Sequence, residues 1–196
     1  MLTNRSMRLL HTAAFSLIEI VIVLVVIGIV LGIAMWKIDI AKYQINGDLQ
    51  VVGSALIAAQ RQAIAKQYNV IVTFDATHSA MHIINDANNN GKQDPGETAR
   101  TIVLDERVRF GLGTASPMPW GSSAISFTQL EGASGMPEVT FYRNGSASES
   151  RGIYLCSTRA QTDAGYVRDV RAIHVERATG RAEWWHYDGY SWERGF

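Results

Sequence analysis

The sequence predicts an α+β fold in which one long N-terminal helix packs on a small, mostly antiparallel β domain. Two observations carry this prediction. An uncharged apolar run ends at Trp36 and is followed by residues with helical spacing, and short alternating segments begin at Val70. The 196 residues suit one domain with an appendage. The 18 basic and 18 acidic residues balance, which gives no overall bias toward nucleic acid.

The first segment, residues 1–14, is short and polar, and it contains Arg5 and Arg8 but no acidic residue. Met7 is an alternative start that would shorten this segment to eight residues. An ordinary secretory signal has its apolar segment before the cleavage site, whereas here the apolar run comes afterwards. The order therefore predicts a leader peptide over residues 1–14, removed by a cut before the apolar run.

Residues 15–36 predict a transmembrane helix, because a bilayer span needs about 20 apolar residues. The basic leader would stay on the cytoplasmic side, so the C-terminal domain would face outward. Glu19 interrupts the apolar run. A carboxylate inside a span costs about 2.5–3.5 kcal/mol, so Glu19 requires a partner unless it lies close enough to the interface to reach water.

The segment Ala14-Phe15-Ser16-Leu17-Ile18-Glu19 resembles the processing site of type IV prepilins and type II secretion pseudopilins. The resemblance implies that prepilin peptidase cuts between Ala14 and Phe15 and methylates the new amino group of Phe15. It also implies that Glu19 pairs with the terminal amine of a neighbouring subunit. The sequence departs from the family at Ala14, where Gly is usual, and at Trp36, where many major pilins have a proline.

Past the apolar run, small and aliphatic residues recur at intervals of three and four: Ile45, Leu49, Val52, Leu56, Ala59 and Ala63. This spacing predicts an amphipathic helix over residues 37–67 that continues the membrane helix and packs on the domain's own sheet. Gly47 and Gly53 lower its intrinsic helix propensity.

Residues 68–196 predict a β-rich globular domain with turn signals between short strands. The predicted strands are Val70–Asp75, Met81–Asn85, Thr101–Leu104, Val108–Leu112, Val139–Arg143, Gly152–Cys156, Ala172–Arg177 and Arg181–His186. Residues 111–135 predict a long loop with one short strand near Ile125–Phe127. The lone Cys156 is interpreted as a small buried side chain on a strand. In the aromatic C-terminal segment, alternation predicts that one of Trp184 and Trp185 is buried and the other exposed.

The second half of the chain looks like the GspH/FimT family of minor pilins and pseudopilins. The resemblance lies in Phe141-Tyr142-Arg143-Asn144-Gly145-Ser146, Gly152-Ile153-Tyr154-Leu155 and the segment from Ile173 to Arg181. It implies a pilin-like structural subunit and not an enzyme, with prepilin peptidase, other pilins or pseudopilins and inner-membrane lipid as partners. The implied location is a single pass in a bacterial inner membrane, with the C-terminal domain in the periplasm or in a filament.

The segment Asp86–Glu97 fits the calcium-loop spacing D-x-[DN]-x-[DN]-G-x₅-E. The oxygen ligands would come from Asp86, Asn88, Asn90, the carbonyl of Lys92, Asp94 and Glu97. A predicted strand precedes the loop, Pro95-Gly96 delays any following helix, and two asparagines lower the ligand charge. The alternative is a polar hairpin loop in which Asn, Asp and Gly make turns, and this is the interpretation we favour.

Three functions remain open from the sequence. The leading one is a minor pilin that is assembled into, or primes, a type IV pilus, and the nearest alternative is a minor pseudopilin of the type II secretion system. A DNA-uptake receptor is the third, because some FimT-like proteins bind DNA through a basic Gly-Arg segment. Here acidic residues interleave with the candidate arginines, which predicts a mixed, solvated face and no nucleic-acid partner. The residues concerned are Arg168, Arg171, Arg177 and Arg181 with Asp169, Glu176 and Glu183.

The sequence contains neither a G-x-S-x-G nor an H-E-x-x-H motif, which favours a structural role over catalysis.

Overall fold

The computed structural model describes residues 16–35, 39–129 and 135–195, and it divides the chain into two compact units. The first unit is Met1–Asp39 and the second is Ile40–Phe196. The predicted α+β class with antiparallel strands is confirmed.

The described part of the first unit is one helix, α1 (Leu17–Met35). All side chains from Ser16 to Ile33 are exposed. Within the described residues, no helix combines the length and the hydropathy needed to cross a bilayer. The predicted span begins at Phe15 and ends at Trp36, and both of these residues lie outside the described ones. The span therefore stays a prediction.

The second unit begins with helix α2 (Ile40–Lys66), whose buried face is the predicted stripe. All six members of the stripe, from Ile45 to Ala63, are at most 1% exposed. The helix ends where Gln67 takes a left-handed backbone conformation, with φ of 58°. The predicted helix over residues 37–67 is confirmed from Ile40 to Lys66, but its continuity with α1 depends on residues 36–38, which lie outside the described ones.

One antiparallel sheet has four strands in the order β3-β2-β1-β5. Its members are β1 (Asn69–Asp75), β2 (Ala80–Asp86), β3 (Ala99–Val103) and β5 (Glu138–Phe141). The inner strand β1 is buried from Val70 onward, and α2 packs against it. The edge strand β3 is exposed except at Ile102.

The other antiparallel sheet has five strands in the order β4-β6-β7-β8-β9. Its members are β4 (Val108–Phe110), β6 (Arg151–Ser157), β7 (Val170–Val175), β8 (Ala182–Tyr187) and β9 (Trp192–Arg194). Between β6 and β7 the chain forms two short 3₁₀ helices, Thr158–Gln161 and Ala164–Asp169. The sequence did not predict β9 or these helices.

The core lies between α2 and the facing sides of the two sheets. Helix α2 contacts β1 and β5 of one sheet and β4, β6, β7 and β8 of the other. Phe74 is at its centre, stacked on Phe127 at a centroid distance of 5.5 Å and edge-on to Phe110 at 5.9 Å. The predicted strand near Ile125–Phe127 is reduced to a single bridge between Ile125 and Ile153, and Phe127 beside it packs on Phe74.

Candidate functional site

The predicted processing site, Ala14 and Phe15, lies outside the described residues, and so its cleavage and methylation stay predictions. Glu19 lies in the first turn of α1, where its backbone N–H donates to the carbonyl of Ser16 at 3.0 Å. Its side chain is exposed, and α1 contains no Lys, Arg or His that could neutralise it within the helix. A partner for this carboxylate therefore has to come from outside α1.

The surface of α1 is almost wholly apolar. Its exposed aliphatic side chains are Leu17, Ile18, Ile20, Val21, Ile22, Val23, Leu24, Val25, Val26, Ile27, Ile29, Val30, Leu31 and Ile33, between 45% and 81% exposed. A soluble monomer does not leave so large an apolar surface in water, because each exposed aliphatic group costs free energy of hydration. A large exposed apolar patch of this kind marks a surface for contact with a membrane or with another protein.

A second exposed surface is the outward face of α2, which belongs to the globular unit. Tyr43 is 72% exposed and Val51 is 45% exposed, and the small residues Gly47, Ser54 and Ala58 lie near Val51 along the helix. Small side chains let another helix approach closely. The opposite face of α2 packs in the core, so this outward face is the exposed side of the helix.

The loop Asp86–Glu97 is built around the buried carboxylate of Asp86, which ends β2. Its two oxygens accept hydrogen bonds from the backbone N–H groups of Asn90 and Gly91, both at 2.9 Å. Gly91 has a φ of 75°, a conformation that glycine adopts without strain. Asp86 therefore holds the first half of the loop in its turn.

The other predicted calcium ligands are also engaged inside the loop. The side-chain oxygens of Asn88 and Asn90 accept backbone N–H groups two residues further on, at 3.1 and 2.8 Å. Both side-chain amides donate to Asp94, at 2.7 and 2.6 Å, and these hydrogen bonds lower the pKa of the Asp94 carboxyl. Glu97 accepts from the N–H groups of Ala87 and Asp94, at 2.8 and 3.0 Å.

Each of these side chains accepts a hydrogen bond from within the loop, as the turn interpretation expects. Among the described residues, no group of three or more His, Cys, Asp or Glu side chains is arranged to hold a metal ion. Calcium binding by this loop stays a prediction.

Replacing Asp86 separates the two interpretations of the loop. We expect Asp86→Ala to lower the free energy of unfolding by about 2–3 kcal/mol, because two backbone N–H groups lose a charged acceptor. Millimolar calcium should leave the melting temperature of the full chain in detergent unchanged. A calcium-dependent rise in the unsubstituted chain that is absent from Asp86→Ala would establish a calcium site.

The aromatic C-terminal segment packs on both sides of the five-stranded sheet. Trp184 lies on the side of α2, against Gly53, whereas Trp185 lies on the outer side. The loop before Gly121 covers that outer side, with Trp192 Nε1 donating to the carbonyl of Ser116 at 2.7 Å. The prediction that one of Trp184 and Trp185 is buried and the other exposed is wrong, because both are half-buried: Trp184 packs against Gly53 of α2, and Trp185 packs with Met118 of this loop.

The outer side forms its own small cluster around Tyr154, which is fully buried. Its hydroxyl donates to the carbonyl of Gly121 and accepts the N–H of Met118, both at 2.8 Å. Trp120 stacks on His174 with 4.7 Å between ring centroids. This packing accounts for His174 as a structural residue.

Cys156 lies on β6 and is fully buried, as predicted. Burial raises the pKa of its thiol to about 11, which keeps the sulfur protonated and unreactive near neutral pH.

The arginines that the sequence predicted on one solvated face differ in their exposure. Arg177 and Arg181 are exposed, and Arg181 lies 3.9 Å from Glu183. Arg171 is only 5% exposed, so its assignment to a solvated face is wrong. The reason is that Arg171 faces α2 from β7, where the side chain of Asn46 accepts a hydrogen bond from it at 2.9 Å. That contact spans 125 residues, and no local pattern could predict it.

No protein-family model matches the sequence, and no curated protein matches it. Among solved structures, the fold is similar to that of the minor pseudopilin EpsH from the type 2 secretion system of Vibrio cholerae. The two chains share 10% sequence identity and superpose with a TM-score of 0.44 over 78% of this chain and 96% of that chain. A likeness at this distance assigns neither a family nor a function.

Proposed function

We propose that this chain is a minor pilin-like structural subunit that prepilin peptidase processes and that is assembled into, or primes, a type IV pilus. The observation that carries the proposal is the order of features at the N-terminus: a polar leader, Phe15, Glu19 and an apolar helix. The role is structural and not enzymatic.

The exposed surface of α1 supports this function because it needs an apolar environment at every stage. In the proposed pathway the inner membrane covers α1 before assembly, with the globular unit in the periplasm, and the apolar helices of neighbouring subunits cover it afterwards. The buried stripe of α2 fixes that helix to the globular unit, and its outward face around Val51 is left for subunit contacts.

A minor pseudopilin of the type II secretion system is the second candidate. The resemblance to the GspH/FimT family favours it as well, because that family includes pseudopilins. Both functions use the same processing, membrane storage and helix assembly. Deletion of the chain in its own host distinguishes them. A loss of surface pili with normal protein secretion supports the pilus, whereas a loss of secretion with normal pili supports the pseudopilin.

Processing is the test of the proposal as a whole. Mass spectrometry of the chain extracted from membranes should show a mature N-terminus at Phe15, carrying one added methyl group. The matched control is the same chain expressed in a host without prepilin peptidase, where the leader should remain attached. An intact leader in the host with an active peptidase would overturn the proposed function.

A further inference from the structure

A cleft of about 650 Å³ opens on the outer side of the five-stranded sheet, the side that does not pack on α2. Its volume is in the range of small-molecule sites, about 300–1,000 Å³. Three tryptophans line it, one from the loop before Gly121, one from β8 and one from β9. The chief lining residues are Met118, Trp120, His174, Glu183, Trp185 and Trp192.

Small residues on two adjacent strands leave room for the tryptophans. Gly152 on β6 pairs with His174 on β7, and a Cβ at Gly152 would lie 2.5 Å from Nε1 and 2.6 Å from Cε2 of Trp120. Trp120 therefore lies directly on the backbone of β6, where its ring stacks on that of His174. In the next row of the sheet, Ala172 pairs with Trp185 and contributes only a methyl group. The indoles thus lie in a depression of the sheet surface.

The walls of the cleft are held in place without a ligand. Trp192 is fixed by its hydrogen bond to the carbonyl of Ser116 and by ring contacts with Tyr187 and Tyr154, at centroid distances of 5.1 and 5.7 Å. Trp185 is half-buried and stacks on no other aromatic ring among the described residues, so the part of its ring that lines the cleft is not taken by another aromatic side chain. Walls that are already ordered lower the entropic cost of binding a ligand.

The same lining contains polar atoms that make no hydrogen bond within the described chain. Both ring nitrogens of His174 are of this kind, although stacking on Trp120 fixes the ring. Burial lowers the pKa of His174, against the opposing effect of Glu176 and Glu183, and a neutral imidazole offers one donor and one acceptor. Glu183 uses Oε1 to accept from Arg194, and its Oε2 has no donor among the described residues.

The charge in the cleft is compensated. Glu183 is the one residue of the described lining that carries a charge at neutral pH, and it pairs with Arg194 and lies 3.9 Å from Arg181. Neither arginine lines the cleft, and both are directed at Glu183. Because an ion would be desolvated here without an unpaired opposite charge beside it, the cleft is suited to an uncharged ligand.

We propose that this cleft binds a neutral saccharide, with Trp185 and its neighbouring indoles against the ring of the sugar, and with His174 and Glu183 as partners of its hydroxyl groups. One face of a pyranose ring consists mostly of C–H groups, which the electron-rich face of an indole attracts. A purely apolar ligand would leave the nitrogens of His174 and Oε2 of Glu183 without partners, whereas sugar hydroxyls both donate and accept. This proposal goes beyond the function proposed above and does not depend on it.

The full chain in a polyoxyethylene detergent, which has no sugar headgroup, would be titrated with maltotriose, cellotriose and triacetylchitotriose. We expect saturable binding of at least one of the three by calorimetry, with a Kd below about 1 mM. The same sugar should change the tryptophan fluorescence and raise the melting temperature.

Trp185→Ala is the first test variant and should weaken binding at least about tenfold, whereas Trp185→Phe keeps an aromatic ring and should lose less. His174→Phe is the second, because it keeps a ring to stack on Trp120 and removes both nitrogens; we expect a loss of about threefold to tenfold. Tyr190→Ala is the matched control, since it removes an 87% exposed aromatic ring that does not line the cleft. It should bind as the unsubstituted chain does.

Melting temperatures without sugar show whether each variant is folded, and His174→Phe carries the test if Trp185→Ala is not. The proposal is overturned if none of the three sugars binds at about 10 mM, or if Tyr190→Ala weakens binding as much as Trp185→Ala. Saturable binding of indole without binding of any sugar would overturn it in favour of an apolar ligand. Tighter binding of choline than of any sugar, lost in Glu183→Gln, would overturn it in favour of a cation site.

Discussion

Glu19→Ala should leave the chain processed and inserted in the membrane but unable to join a filament. Removing the carboxylate makes insertion easier by about 2.5–3.5 kcal/mol on insertion scales, so a failure to reach the membrane is not expected. Processing should also continue, because the cut lies before Phe15. The defect of Glu19→Ala should appear only at the step in which subunits associate.

The reason is that α1 offers Glu19 no partner of its own. The helix has no basic residue, and Glu19 lies among exposed aliphatic side chains. Under the proposed function, cleavage creates an ammonium group at Phe15 of each neighbouring subunit. Pairing that group with Glu19 would offset the cost of the buried carboxylate and fix the register between helices. Removing one partner from a buried pair costs about 3–5 kcal/mol, enough to change assembly by orders of magnitude.

Crosslinking between subunits in membranes measures this effect, with yield compared at equal expression. Glu19→Gln is the closest test, because it keeps the size of the side chain and removes its charge. Ser16→Ala is the matched control, since Ser16 is exposed beside the start of α1 and carries no charge. Crosslinking of Glu19→Ala at the yield of the unsubstituted chain would show that Glu19 has no part in assembly.

Elements with a regular pattern in one segment could be predicted from the sequence. The stripe from Ile45 to Ala63 predicted α2, because its apolar residues recur every three or four positions even though Gly47 and Gly53 lie in the same segment. The strands β1 and β2 also appear close to their predicted bounds, because apolar β-formers are followed by clear turn residues. Burial of Cys156 could be predicted because it lies in a segment of apolar strand residues.

Features that depend on distant parts of the chain could not be predicted. The division of the described strands into two sheets follows from pairing between distant segments, which no pattern within a single segment indicates. The strand β9 is three residues long and exists because it pairs with β8. Arg171 and Asp169 looked like neighbours on a mixed face, but Asp169 ends the second 3₁₀ helix and accepts from Arg159, whereas Arg171 lies on β7 and donates to Asn46.

The role of Gly53 is another feature that the sequence did not show. In the sequence both Gly47 and Gly53 only weaken a helix, yet their surroundings differ. A Cβ at Gly53 would lie 2.6 and 2.7 Å from Cε2 and Cζ2 of Trp184, closer than carbon atoms approach without strain, and it would meet Nε1 as well. A Cβ at Gly47 would have no atom within 4 Å. Gly53 is therefore what allows β8 to pack closely on α2.

The same substitution at these two glycines should change stability in opposite directions. Gly47→Ala should raise the free energy of unfolding by up to about 1 kcal/mol, because alanine is the better helix former. Gly53→Ala has the same propensity gain, but the added methyl group has to displace a bulky indole held on a strand that pairs with both β7 and β9. Overpacking of this kind costs about 1–3 kcal/mol, and so we expect a net loss.

Thermal unfolding of the full chain in detergent measures both variants against the unsubstituted chain. Each kcal/mol corresponds to about 2–4 °C in a chain of this size, so the two melting temperatures should lie on opposite sides of the reference. Near-ultraviolet circular dichroism should also change for Gly53→Ala, because Trp184 has to move, but not for Gly47→Ala. If Gly53→Ala were as stable as Gly47→Ala, the indole would have room to shift, and the close packing of β8 on α2 would not be what requires glycine at this position.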